Sequence, residues 1–154
     1  MASSALLPAC DSLIVSAALA AVLSRRRAPA LIVLFALCDA AGSFLGQRFA
    51  IPAAVAMTAP AFIALWGGSL CAGLPAIAAR CQSPAWAYLL PPLLAIDNPI
   101  LPGGAPIAAG LASGSMSALG FTLGAALVHR VDPQGQGRRL RGLPLVIASL
   151  LLWT

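Results

Sequence analysis

Six apolar runs, separated by short gaps, occupy most of this chain and limit what it can fold into. Most of them have the length of about 17–25 residues that an α-helix needs to cross a bilayer. A soluble domain needs a polar exterior, but 8% of these residues are charged and 60% are hydrophobic. The sequence therefore predicts an all-α integral membrane protein with six transmembrane helices. The predicted spans are residues 5–23, 30–47, 53–72, 86–101, 107–128 and 143–153.

The basic residues lie in the gaps between these runs. All nine are arginines, and eight of them fall in the gaps after the first, third and fifth runs, whereas Arg48 follows the second run. Arginine-rich loops tend to stay in the cytoplasm, so this distribution predicts that both termini lie outside. Arginines scattered over several short gaps are unlike a nucleic-acid-binding face, and we expect no nucleic-acid partner.

The two halves of the chain resemble each other. "DAAGSFLG" at 39–46 in the second run aligns with "SALGFTLG" at 117–124 in the fifth, and "CDS" at 10–12 aligns with "IDN" at 96–98. Because each half has three spans, the second half would enter the membrane upside down, as in many secondary transporters. The sequence thus predicts one transmembrane domain, 1–154, made of two inverted three-helix repeats, 5–80 and 86–154.

Three of the four aspartates lie inside apolar runs, where a charge is costly. They are Asp11, Asp39 and Asp97, whereas Asp132 lies in a polar gap and is interpreted as a solvated loop residue. An ionisable residue at membrane depth indicates a functional site, although a hydrogen bond that only holds helices together would also explain it. We predict that these three aspartates bind a metal cation and line its path.

Prolines surround the third of these aspartates, in "LLPPLLAIDNPILPGG". Pro99 has no N–H to donate, so a helix would leave the carbonyl of Ala95 free there, and the fourth run is predicted to be broken. Free carbonyls, the carboxylate of Asp97 and the amide of Asn98 form an all-oxygen set that hard divalent cations prefer. We predict that Asn98 is also a metal ligand. The plainer alternative is a kinked helix end that leads into an external loop.

Small residues recur every three or four positions in the second and fifth runs, which gives each helix one narrow face that another helix can approach closely. These faces hold Asp39, Gly42, Ser43 and Gly46 in the second run and Gly110, Ser113, Ser117, Gly120 and Gly124 in the fifth. We expect the two runs to cross near the centre of the bundle, with the glycines as packing residues. Ser12, Ser43 and Ser117 are predicted to line the cation path. Such faces would also allow a homodimer.

Two cysteines, Cys10 and Cys38, directly precede a membrane aspartate. Thiolates would favour a softer ion such as zinc or cadmium, but neighbouring residues on a helix point about 100° apart, and a buried cysteine commonly behaves as a small hydrophobe. The sequence contains no CxxC pair, so neither a zinc site nor a haem attachment is indicated, and His129 is expected at the membrane interface. No hydrolase, phosphate-loop or metalloprotease motif supports an enzyme.

The segments "CDSLIVSAAL", "FALCDAAGSFLG" and "LLAIDNP" resemble the small six-helix manganese-efflux pumps of the lysine-exporter-type superfamily. The resemblance spans most of the chain and implies that Asp11, Asp39 and Asp97 line a path for cations leaving the cytoplasm. It also agrees with both termini outside. Asn98 and Pro99 depart from the family pattern, which has small and apolar residues after this aspartate.

These features predict a secondary transporter that exports a divalent cation by alternating access, with Mn²⁺ as the first candidate. The cation is the substrate and no resident cofactor is expected. The partners are the lipid bilayer and counter-transported protons, and the expected location is a bacterial inner membrane, crossed several times. Three alternatives stay open: an exporter of another small solute such as an amino acid, a membrane thiol-reductant carrier that uses Cys10 and Cys81, and a structural membrane subunit.

Overall fold

The computed structural model describes residues 3–46, 58–81, 83–95, 106–131 and 140–152, and the all-α prediction is confirmed for them. One turn of 3₁₀ helix lies at Arg25–Arg27 and another at Leu140–Gly142. The short helix Pro75–Cys81 is not predicted by the sequence. The helices are α1 Ser3–Ala20, α2 Ala28–Gly46, α3 Thr58–Cys71, α4 Pro75–Cys81, α5 Pro84–Ala95, α6 Pro106–Val131 and α7 Leu143–Leu152.

Proline marks the start of three of these helices. Pro75, Pro84 and Pro106 are the first residues of α4, α5 and α6, a position where the missing N–H would have no helical partner in any case. Pro91 and Pro92 lie inside α5, which is described as far as Ala95. The helix break expected at Pro99, the segment 53–57 of the third predicted span and the loop aspartate Asp132 fall outside the described residues.

Large apolar side chains cover the outer faces of the helices. On α6, Ile107 is 75% exposed and Leu111 is 68% exposed, whereas Ser113 and Ser117 are buried. An apolar exterior, with polar side chains such as these serines turned inward, is expected where lipid is the outer solvent. In the described part of the chain, the segments Arg25–Phe44 and Pro106–Val131 are long and apolar enough to cross a membrane, and other apolar helices are shorter. The structure is thus compatible with a helical membrane protein.

The main helix pairs join the first half of the chain to the second. α1 and α2 both pack against α6, α5 packs against α2, and α3 packs against α7. The apolar core follows these pairs, and its largest fully buried side chains include Leu19, Phe35 and Trp66. The two halves therefore form one interlocked bundle.

Glycines allow α6 to reach backbone contact with both of its neighbours. A Cβ at Gly110 would lie 2.6 Å from the carbonyl oxygen of Ala36 in α2, and a Cβ at Gly124 would collide with the carbonyl oxygen of Ala17 in α1. Real Cβ atoms do not come this close to a carbonyl oxygen. Glycine is thus required at these positions for α6 to touch both helices.

The crossing of α2 and α6 is present, but it uses other residues than the aligned glycines. Gly110 and Gly114 of α6 face α2, whereas Gly120 and Gly124 face α1, and Gly42 of α2 faces α5. Gly46 is the last described residue of α2. Gly42 therefore packs α2 against α5, and Gly120 and Gly124 pack α6 against α1, so these aligned glycines do not pack α2 and α6 against each other.

The contacts between helices also fix their directions. Ser113 meets Ser12 and Gly124 meets Ala17, so α6 and α1 run parallel. Gly110 faces Ala40 and Ala36 while Gly114 faces Ala36 and Ile32, so α2 runs antiparallel to α6. The start of α7 lines one groove with the end of α6. One end of the bundle, here called the arginine end, therefore carries Arg25, Arg26, Arg27, Arg130 and Arg141.

The packing of Gly124 yields a stability test. Replacing Gly124 with Ala should lower the free energy of unfolding in detergent micelles by about 1–3 kcal/mol, because the new methyl group meets the α1 backbone. Gly68 is the matched control, since a Cβ there meets nothing within 4 Å, and Gly68→Ala should be neutral or slightly stabilising. Reversible unfolding in mixed micelles measures both. Equal stabilities for the two variants would contradict the close α1–α6 contact.

Candidate functional site: a buried carboxylate among hydroxyl groups

Asp39 lies near the middle of α2 and is 3% exposed. The hydroxyl of Ser12, from α1, donates a hydrogen bond to Oδ2 of Asp39 over 3.2 Å. The same hydroxyl lies 2.8 Å from the hydroxyl of Ser113, from α6. A serine has one hydroxyl proton, so if Ser12 donates to Asp39, Ser113 is the donor to Ser12. Three helices thus meet at one buried carboxylate.

Two more buried serines extend this cluster towards the arginine end. Ser16 follows Ser12 by four residues in α1, and Ser117 follows Ser113 by four residues in α6, so each lies one turn further along the same helix face. Both are 0% exposed, and their hydroxyl oxygens have no hydrogen-bond partner within the part of the chain that the structure describes. We call Asp39, Ser12, Ser16, Ser113 and Ser117 the hydroxyl seam.

An unused buried hydroxyl is unfavourable, because its hydrogen-bonding capacity costs about 1–3 kcal/mol when it is not met. Ser16 and Ser117 keep this capacity in the buried part of α1 and α6. Their hydroxyl groups are therefore available to a small polar species.

The predicted path residues divide between the seam and its surroundings. Asp39, Ser12 and Ser117 belong to the seam. Ser43 is half-buried one turn beyond Asp39 on α2, and Asp11 is also half-buried. Asp11 directly precedes Ser12, so its side chain points about 100° away from that of Ser12.

The other two predicted ligands, Asp97 and Asn98, lie outside the described residues. The last described residue of α5, Ala95, packs against α2 close to Asp39. A Cβ at Gly42 would lie 2.6 Å from the carbonyl oxygen of Ala95, and Gly42 follows Asp39 by three residues. α5 therefore brings the chain to the same part of α2 just before Asp97 in sequence.

Ser16 and Ser113 belong to the seam, although the sequence does not predict them as path residues. The available signal is their spacing, because each lies four residues from a predicted path serine on the same helix. Serines in apolar helices are common as packing residues, and the spacing alone does not show that the two rows of hydroxyls face each other. Only the parallel packing of α1 and α6 brings them together.

The chemistry of the seam is that of oxygen ligands. In the described ranges, no group of three or more histidine, cysteine, aspartate or glutamate side chains comes together. Cys10 and Cys38 are free thiols, and Cys10 is exposed. Carboxylate and hydroxyl oxygens suit hard cations and protons better than soft metal ions.

No family model, curated protein or solved structure matches this chain. The resemblance to small manganese-efflux pumps therefore stays a prediction from the sequence motifs. The function has to follow from the site itself, where one buried carboxylate is held between hydroxyl groups. Such a group can bind a cation or exchange a proton.

The hydrogen bonds of the seam predict a difference between two serines of α6. Ser113→Ala should lower the free energy of unfolding by about 0.5–1.5 kcal/mol, because it removes an interhelical hydrogen bond in an apolar setting. Ser115 is exposed and bonds to the carbonyl of Leu111 in its own helix, so Ser115→Ala should change stability by less than about 0.5 kcal/mol. Unfolding in mixed micelles distinguishes them, and a larger loss for Ser115→Ala would argue against the three-helix junction.

Proposed function

We propose that this protein is a secondary transporter that exports a divalent cation, with Mn²⁺ as the first candidate, and that Asp39 lies at the centre of its path. The burial of Asp39 among hydroxyl oxygens at a junction of three helices carries this proposal. An acid inside an apolar bundle is unfavourable and is typically retained for ion or proton movement. Asp39 lies eleven residues after the start of α2, about 17 Å along the helix, which is about half the thickness of the hydrocarbon core.

The proposed membrane placement follows from the surface of the bundle. Apolar side chains cover its sides, and five of the described arginines, Arg25, Arg26, Arg27, Arg130 and Arg141, lie at one end. Arginine-rich loops stay in the cytoplasm, so we place the arginine end there and propose that the chain crosses the membrane several times. A bacterial inner membrane suits this topology.

The pairing of helices supports the proposed inverted repeats. If each helix of the first repeat is matched in chain order with one of the second, α1 corresponds to α5, α2 to α6 and α3 to α7. The contact of α1 with α6 then becomes the contact of α5 with α2, and both contacts exist. Gly42 and Gly120, which align in the sequence, face α5 and α1 respectively. A two-fold exchange of this kind is the relation on which alternating access in inverted-repeat transporters depends.

The seam also indicates which helices have to move. A cation that travels from Asp39 to the arginine end passes between α1 and α6, where Ser16 and Ser117 supply oxygens. Further along, Gly124 brings the two backbones into contact at Ala17 and leaves no space. We propose that α1 and α6 separate at Gly124 when the path opens to the cytoplasm, and that the corresponding pair, α5 and α2, separates on the opposite side.

The bound cation requires more oxygen ligands than Asp39 and two serines supply. We propose that Asp97 and Asn98 complete its coordination and that half-buried Asp11, which directly precedes Ser12 near the middle of α1, guides the cation towards the seam. A proton and a cation compete for the same carboxylate oxygens of Asp39, so release of the cation outside allows a proton to take its place. This competition would couple export to proton entry.

Transport is tested by Mn²⁺ flux into proteoliposomes that contain the full chain. Asp39→Asn should reduce the flux by at least about tenfold, because the amide keeps the size of the side chain but lacks the charge that balances a divalent cation. A pH-sensitive dye inside the vesicles should report proton movement opposite to Mn²⁺. Zn²⁺ and Cd²⁺ serve as softer ions for comparison.

The matched control is Asp132→Asn, which removes an equal charge from a position that the sequence assigns to a polar gap. Its flux should equal that of the unchanged protein. If Asp39→Asn transports Mn²⁺ at the normal rate while remaining folded, Asp39 is not on the path. Absence of flux for every metal would instead favour an organic solute or a structural role.

Membrane orientation is tested by single cysteines in a variant without native cysteines. Ser24 is exposed beside Arg25, and Thr58 is exposed at the start of α3. A membrane-impermeant maleimide should label Ser24→Cys only in inside-out vesicles, because we place the arginine end in the cytoplasm, and should label Thr58→Cys only in right-side-out vesicles. Labelling of both from the same side would contradict the proposed topology.

A further inference from the structure

An apolar groove lies between α1, α6 and α7 near the arginine end. It is partly open to the outside and has a volume of about 460 Å³. Leu127 and Val131 of α6 and Leu143 and Ile147 of α7 line it, and each of these side chains is about half exposed or more. The groove thus belongs to the outer surface of the bundle, apart from the hydroxyl seam.

The groove has a charged residue at one end. Among the described residues that line it, Arg141 is the one that carries a charge, and its side chain is half-buried. A guanidinium group carries five N–H donors in a planar fork that matches the oxygens of a phosphate. The other described arginines at this end, Arg25–Arg27 and Arg130, add to the positive potential around the groove.

Lipid is the occupant that fits both parts of the groove. In the proposed membrane placement, a groove on the side of the bundle faces acyl chains, which are apolar like its walls. The arginine end lies at the depth of the cytoplasmic headgroups, where anionic lipids are attracted to basic residues. A zwitterionic headgroup offers the same phosphate but carries a cation beside it, so its attraction to Arg141 is weaker.

We propose that this groove is a specific site for one anionic phospholipid, with an acyl chain between α6 and α7 and its phosphate on the guanidinium of Arg141. The proposal rests on the proposed membrane placement and not on the transported species. A lipid in this position would touch Ala17 and Gly124, the residues at which α1 and α6 are proposed to separate. Its occupancy would therefore favour the closed contact of these helices.

The site is tested by native mass spectrometry of the full chain released from micelles with equal amounts of phosphatidylglycerol and phosphatidylcholine. The protein should retain one phosphatidylglycerol in preference to phosphatidylcholine. Arg141→Gln should weaken this retention by about tenfold, the effect of one lost charge-assisted hydrogen bond. Arg130→Gln is the matched control, because Arg130 is exposed at the same end but does not line the groove, and it should retain the lipid.

A second pair of variants tests the groove without changing charge. Ile147→Trp places a large side chain in the groove and should remove both lipids, whereas Leu150→Trp, on an exposed part of α7 outside the groove, should not. Equal retention of the two lipids, or unchanged retention in Arg141→Gln, would overturn the proposal. A change in the dimer fraction of Ile147→Trp without a change in lipid would show that a second copy of the chain covers the groove.

The transport proposal can fail independently of this one. Asp39→Asn should lose Mn²⁺ flux and still retain phosphatidylglycerol, because Asp39 does not line the groove. If Mn²⁺ is not transported by any variant but Arg141→Gln still loses the lipid, the lipid site stands without the transport function.

Discussion

α6 comes into backbone contact with α1 on one face and with α2 on another, and the remainder of the arrangement depends on this double contact. In a bilayer, moving an apolar side chain from lipid into a helix interface gains little free energy, because lipid tails are equally apolar. Close packing and interhelical hydrogen bonds therefore hold the helices together. Gly110 and Gly124 allow both contacts. The same approach brings Ser12 of α1 within hydrogen-bonding distance of both Ser113 of α6 and the carboxylate of Asp39 in α2. One packing arrangement therefore produces both the bundle and its polar site.

Hydroxyl groups surround the buried carboxylate of Asp39 and continue along α1 and α6. Asp39 is tolerated in an apolar bundle because hydroxyl groups solvate it, and hydroxyl groups can both donate and accept. Ser16 and Ser117 continue the row of hydroxyls towards the arginine end and stop before the contact at Gly124. The row of hydroxyls and the close backbone contact at Gly124 thus follow each other along the same pair of helices.

The two proposed sites meet at this barrier from opposite sides. The hydroxyl seam reaches it from the interior of the bundle, and the groove with Arg141 reaches it from the lipid face, since Ala17 and Gly124 border both. A separation of α1 and α6 would alter the walls of the groove, so the proposed occupation by lipid and the proposed opening of the path would be linked. The surrounding membrane would then influence transport through a residue that does not touch the cation.

The sequence by itself determined the helical class and most helix positions, because apolar runs of sufficient length and prolines at helix starts are local signals. The predicted run 107–128 corresponds to α6, Pro106–Val131, and the run 30–47 corresponds to α2, Ala28–Gly46. The sequence also singled out Asp39, since an acid in an apolar run is visible without a structure.

The partners of Asp39 were decided only by the tertiary structure. Which glycine faces which helix, and which serines meet the carboxylate, depends on the direction and rotation of whole helices, and residues such as Ser12 and Ser113 are separated by about a hundred positions in the chain. Local periodicity gives each helix a polar face, but only the packing of three helices turns those faces towards each other.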